Sequence, residues 1–204
     1  MRTGSAEAGA GSHTMVASLR YLFAALAAVA LLGGGGPAAA AADADFELPT
    51  VKVREVDGVY LLDAVARLRL TPDVRKALEN GVALTIRWDV EIDRDRGWWL
   101  DADIAELAQR YRLEYHELSL QYLVTNLNTG ERRSFTRLSV ALNQIGTLIA
   151  FPLVDEVLIK NPARHTGYAR VRLDVSALPL PLRPIAWFSS AWDLSSEWRK
   201  WSFE

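Results

Sequence analysis

The sequence predicts an α+β domain: an antiparallel sheet of about six strands with two helices packed on it, plus a Pro- and Trp-rich C-terminal strap. Three observations carry that prediction. Leu84, Ile86, Trp88, Val90 and Ile92 alternate with Thr85, Arg87, Asp89, Glu91 and Asp93, the period-two pattern of a strand with one buried face. Leu138, Ala141, Leu142, Ile145, Leu148 and Ile149 fall on one face at helical spacing. No alternating βαβ rhythm and no Gly-rich phosphate loop occurs, which argues against a parallel nucleotide-binding sheet.

The chain opens with an address. Residues 1–14 read as an upstream extension, with Met15 as an alternative start. Arg20 supplies a positive n-region, Tyr21 to Leu32 an apolar core, and Ala40-Ala41-Ala42 a small-residue cleavage site before Asp43. This is the pattern of a secretory signal peptide, and it predicts a periplasmic protein. The alternative is an inner-membrane anchor over residues 21–42, nearly long enough to span a bilayer. Gly33–Gly36 and Pro37 interrupt that helix. No Cys follows the apolar core, which excludes a lipoprotein anchor. The expected organisation is therefore an extension and signal over 1–42 and a single exported domain over 43–204.

Within that domain, Val51–Val56 and Val59–Leu70 flank Asp57-Gly58, a hairpin signal. Leu62, Ala64, Ala66, Leu68 and Leu70 face one way, and Asp63, Arg67 and Arg69 the other. Thr71-Pro72-Asp73 then opens a short helix. Thr71 can cap it, Pro72 suits the first turn, and Asp73 complements the dipole. Val74, Ala77 and Leu78 form its buried stripe, and Asn80-Gly81 ends it. Asp103–Arg110 reads as a helical turn or the start of a strand, and Tyr111–Leu118 as strand. Leu120–Thr125 and Arg132–Phe135 are strands joined by the turn Asn126–Gly130. The second helix spans Thr136–Ile149 with Thr136 as cap. Leu153–Ile159 reads as a further short turn, and Tyr168–Val175 as the last strand. After it, Leu178–Pro184 is expected to be extended, because proline disfavours a helix interior.

Composition narrows the functional classes. Of 23 basic and 25 acidic residues, Arg2, Arg20 and Glu7 precede Asp43, so the domain carries about −3. That balance, with no basic run, argues against nucleic acid as a partner. With no Cys there is no disulfide, no thiolate nucleophile and no Cys-ligated metal.

Two segments resemble a known family. One is Tyr122-Leu123-Val124-Thr125-Asn126-Leu127-Asn128-Thr129-Gly130-Glu131-Arg132-Arg133-Ser134-Phe135. The other is Leu178-Pro179-Leu180-Pro181-Leu182-Arg183-Pro184 with Ser195-Ser196-Glu197-Trp198. Together they resemble a proteobacterial domain-of-unknown-function family, number 4390, along the whole exported chain. The resemblance implies an exported protein of unassigned activity, with members often encoded beside a two-component nitrogen-type sensor kinase and its regulator. It supplies no catalytic residues.

The chemistry-bearing residues are sparse. His116 and His165 are the histidines after the leader, and no Gly-x-Ser-x-Gly occurs, so a hydrolytic triad has little material. Asp93, Asp95, Asp101 and Asp103 resemble half a calcium loop, but Gly97, Trp98 and Ile104 occupy positions that would need other residues. No metal and no cofactor is expected. The candidate binding residues are aromatic: Trp98 and Trp99 in a charged loop, and Trp187, Trp192, Trp198 and Trp201 in the tail. Each group has a packing reading, in which the tail lies across the sheet, and an interaction reading, in which it docks on an envelope protein. The function expected is a non-enzymatic binding or interaction domain, accessory to envelope signalling. The alternative is an envelope hydrolase acting on a glycan or peptide, with His116 or an aspartate between 93 and 103 in a concave site.

Overall fold

The computed structural model describes residues 45–94, 102–159 and 161–203, with the side chains of residues 102–104 excepted. All lie in the compact unit Asp43–Glu204. The leader and the Trp98-Trp99 pair fall outside the described residues, as do Asp95 and Asp101. Among the described residues no helix is long and apolar enough to cross a membrane.

Nine strands form two antiparallel sheets among the described residues, with three short α-helices beside them. The strands are β1 (Phe46–Val56), β2 (Val59–Leu68), β3 (Leu84–Arg94), β4 (Ala102–His116), β5 (Gln121–Asn126), β6 (Arg132–Phe135), β7 (Thr147–Asp155), β8 (His165–Leu173) and β9 (Arg199–Ser202). The helices are α1 (Pro72–Glu79), α2 (Leu138–Ile145) and α3 (Arg183–Trp187). One sheet has the order β1-β2-β7 and the other β6-β5-β4-β3-β8-β9. The inner face of the larger sheet is shared. β1 packs over β8 and β9, while α1 covers β4, and α2 covers β5 and β6.

Local chemistry explains the elements. Asp57 (φ 50°) and Gly58 (φ 79°) take the two left-handed positions of a tight hairpin turn, which glycine adopts without steric cost. Glu55 accepts from the Gly58 N–H at 2.8 Å and steadies that turn. The Thr71 hydroxyl caps α1 by accepting from the Val74 N–H at 3.2 Å, and donates to the Ala191 carbonyl at 2.9 Å. The alternation along β3 buries Leu84, Ile86, Trp88, Val90 and Ile92 completely or nearly so. Trp88 reaches the end of α2, donating from Nε1 to the Ile145 carbonyl at 3.0 Å. Tyr60 meets Phe203 edge to face at 5.0 Å between ring centres, linking β2 to the residue after β9.

The structure corrects several expectations. The expected single sheet of six strands with two helices is, among the described residues, two sheets with nine strands and three helices, within the same α+β class. The 103–110 segment is strand, part of β4. The helix expected over Thr136–Ile149 covers only Leu138–Ile145, with Arg137 rather than Thr136 at its cap position. Gly146 ends it. A Cβ there would lie 2.6 Å from the Ala66 carbonyl oxygen, and the Gly146 carbonyl accepts from the Ala66 N–H at 2.7 Å. The chain thus leaves α2 pressed against β2 and continues as β7, a strand where the sequence suggested further helix. In the tail, Pro184 sits in the first turn of α3, where its missing N–H is harmless. The chain then returns along β8: Ser195 bridges Arg172, and β9 pairs with Thr166–Ala169.

Gly167 shows how tightly that return is fitted. The Trp201 indole lies directly against it, in the space a Cβ would need. Gly167→Ala is expected to push the ring off β8 and cost roughly 1–3 kcal/mol by overpacking. Chemical denaturation would check it, and an unchanged midpoint would mean the ring shifts freely.

Candidate functional site

A concavity opens between β4 and β6 of the larger sheet and β7 of the smaller, and its walls follow from strand register. On β4, Gln109 lies opposite Trp88 and Tyr111 opposite Ile86, so both point inward. On β6, Arg133 pairs with the inward Val124, and Phe135 with Tyr122. Val140, Asn143 and Gln144 of α2 form the floor, and Thr147–Pro152 of β7 the far wall. The groove encloses about 800 Å³.

Its polar lining is held in place. Asn126 Oδ1 accepts from Gln109 Nε2 at 2.6 Å and from the N–H groups of Asn128 and Thr129 at 2.9 and 3.2 Å. Asn128 then acts as a strand surrogate. Its Oδ1 accepts from the Arg110 N–H at 2.9 Å, and its Nδ2 donates to the Ala108 carbonyl at 2.8 Å. These bonds strap the Asn126–Gly130 turn to β4. Thr147 donates to the Asn143 carbonyl at 2.8 Å. Burial, with Glu131 adding and Arg133 subtracting, raises the pKa of Tyr111, which keeps its hydroxyl a neutral donor. On the far wall a bulge turns Ala150 to φ 52°, its N–H donating to Asp63 Oδ1 at 2.8 Å, and leaves Ile149 on the rim.

The lining is thus amides, hydroxyls and aromatic or aliphatic faces. Arg133 is its charged member, and Glu131 pairs with it at 2.7 Å. Among the described residues no carboxylate and no imidazole lines the groove. Such a surface can hold a ligand with many hydrogen-bonding groups.

A family model described as a domain of unknown function, DUF4390, matches residues 43–202. The chain belongs to that family. No curated protein and no solved structure matches it. The DUF4390 match runs from before β1 to the end of β9, so it contains the groove, both sheets and the tail.

The residues singled out from sequence lie elsewhere in this DUF4390 domain. Trp192 is buried, and it borders two clefts that Trp187 also lines. Trp187 is exposed. Trp198 sits under the Arg170 guanidinium, 4.3 Å from its ring centre, and Trp201 covers Gly167. The tail therefore packs as a strap through Trp192 and Trp201 while leaving Trp187 free. His116 ends β4 and is exposed. His165 begins β8 and is buried, its Nδ1 2.7 Å from the Asn161 carbonyl. Because β4 and β8 both run antiparallel to β3, the two imidazoles stand at opposite ends of the sheet. Among the described residues no three His, Asp or Glu side chains gather as a metal site.

Sequence reading missed the groove residues. One signal was available: along Leu107, Gln109, Tyr111 and Leu113 an amide interrupts an otherwise apolar inward row.

Proposed function

We propose that the domain is a non-enzymatic binding module of the periplasm, with the groove between the sheets as its ligand site. Its ligand is uncharged and rich in hydrogen-bonding groups, such as a glycan segment. The observation that carries this reading is the lining: Gln109, Asn126, Asn143 and Gln144 bring amides together beside Tyr111, Phe135 and Phe151. Amides satisfy paired hydroxyls, and aromatic faces stack on sugar rings. The signal pattern before Asp43 supports an envelope location, and the family resemblance supports a role accessory to a sensor kinase and an envelope protein partner.

Titrating the ¹⁵N-labelled protein with N-acetylglucosamine oligosaccharides tests this. Expected are shifts centred on the side-chain amides of Gln109, Asn126 and Asn143, recovery of intact oligosaccharide, and at least tenfold weaker binding for Val140→Trp, which fills the groove floor. Cleaved product would turn the reading to a hydrolase. Shifts confined to other surfaces would remove the groove from consideration.

A further inference from the structure

The outer face of the six-stranded sheet carries an arrangement that packing does not explain. Arg110 on β4, Arg87 on β3 and Arg172 on β8 stand in one cross-strand row. Like charges directly opposite one another destabilise a sheet. One carboxylate offsets them. Asp89 is buried in the next row and engages Arg87, Arg170 and Arg172, each through its Nε, at 3.2 Å for Arg170 and 2.8 Å for Arg172. Use of Nε leaves the forked Nη ends of these guanidiniums available and fixed in direction. Arg112, opposite Thr85, and Arg132, opposite Thr125, extend the cationic band toward β6. Arg110 and Arg112 pair with no carboxylate among the described residues.

The face is polarised along the strands. Glu91 and Glu106 sit opposite each other toward the other end of β3, beyond Asp89. At the cationic end stand Glu114, the buried Asp174, whose N–H donates to the Thr85 carbonyl at 2.7 Å, and Asp193. Five arginines there (Arg87, Arg110, Arg112, Arg132 and Arg172) thus face three carboxylates besides Asp89. Next to that end, beyond the end of β8, the tail projects an apolar tip. Phe188 is 92% exposed, Leu180 73%, Trp187 65% and Ile185 64%. One cleft is lined by Trp187 together with Arg170 and Arg172, so the tip and the arginines adjoin.

We propose that this end of the domain docks on an anionic lipid bilayer, with the tip entering the interface and the arginine row facing the headgroups. Charge complementarity selects the bilayer. Nearly free aromatic and aliphatic side chains flanked by fixed cations match an interface that is apolar below and negative above. The proposal goes beyond the groove reading and does not depend on it.

The test uses the full chain with vesicles containing brominated lipids, reading tryptophan quenching. Quenching is expected on phosphatidylglycerol vesicles, much reduced on phosphatidylcholine vesicles and in high salt. Trp187→Phe should remove most of it. The pair Ile185→Ser and Phe188→Ser should weaken membrane association by roughly tenfold or more. The pair Arg110→Gln and Arg112→Gln should weaken it roughly 25-fold at low salt, about fivefold per arginine. All four positions are exposed, and circular dichroism would verify folding. Equal quenching on both lipids, or quenching indifferent to both pairs, would overturn the proposal. So would protection of Trp187 that arises only when envelope proteins are added, which would make the tip a protein-docking surface.

Discussion

Trp88→Ala should be the most damaging single truncation in the domain. The side chain is completely buried between the larger sheet and the end of α2. Its removal leaves a cavity that fixed strands on either side cannot close. It also strips the hydrogen bond from the Ile145 carbonyl, one of the terminal carbonyls of α2 that the helix itself leaves unpaired. Loss of an aromatic ring from such a core costs about 4 kcal/mol. For a domain of this size the melting temperature should fall by roughly 8–16 °C. Trp88→Phe separates the two contributions, since it keeps most of the volume and loses the donor. It should cost about 1–2 kcal/mol more than simple shape change would. Thermal unfolding by circular dichroism measures both. If the alanine variant melted within a few degrees of the native protein, α2 would be moving in to fill the space.

Asp89→Asn should rank next, and through charge rather than volume. The amide keeps the shape but leaves Arg87, Arg170 and Arg172 around a neutral group, with Arg110 adding to the repulsion in the neighbouring row. Removing one member of a buried ion cluster costs about 3 kcal/mol. Salt provides the diagnostic. Repulsion among partly exposed guanidiniums is screened, so 0.5 M salt should restore part of the loss in the variant and change the native protein less. Acidity provides a second. Burial alone would raise the Asp89 pKa, but the hydrogen bond and charge of Arg172, then Arg87 and Arg170, outweigh it and hold the carboxyl below its ordinary value. Its contribution is therefore present above pH 3.8 and is lost as pH falls below that value through the folded-state pKa. Asp63 behaves in the same direction, lowered by its hydrogen bonds from Arg54 and the Ala150 N–H. Glu91 opposes them, since burial and the neighbouring Asp93 and Glu106 raise its pKa, so its contribution declines as pH rises above 4.5. The acid limb of the stability curve should be shallower in Asp89→Asn than in the native protein. A parallel limb would mean that Asp89 is not the group whose protonation opens the fold.

The parts of the fold that were legible in sequence are those fixed by near neighbours. The Asp57-Gly58 turn needs two left-handed residues and has them. Thr71-Pro72 caps its own helix, and Gly81 takes φ 85° to end it. The alternation of β3 marks its apolar inward side, but Thr85 and Asp89 of the side expected to be wet are buried too, which the alternation did not show. What was hidden depends on distant chain. Leu148 and Ile149 continue the helical spacing of α2, and only the approach of Ala66 to Gly146 turns them into strand. Period-two patterns mark strands but not the sheet each one joins, so two sheets looked like one. The groove was hidden for the same reason. Gln109 and Arg133 share a wall only because β5 sits between β4 and β6 in a particular register. The tail tryptophans were visible as a group, but their separate fates follow from the return of the chain along β8.

The pairing of β2 with β7 bears on how the domain forms. Val59 pairs with Asp155 and Val65 with Thr147, across the whole intervening β3–β6 meander. Within that meander the β4–β5 and β5–β6 connections are short turns, residues 117–120 and 127–131. The three-stranded sheet does not share that advantage, because its third member comes from far along the chain, and loop closure must precede any gain from pairing. The hairpin β1–β2 forms from near neighbours, but its sheet is complete only with β7. Its outer edge lacks a partner until β7 pairs with β2. A long-range pairing of this kind is expected to slow folding more than the local turns do, and stopped-flow refolding of a Val65 or Thr147 variant would check it.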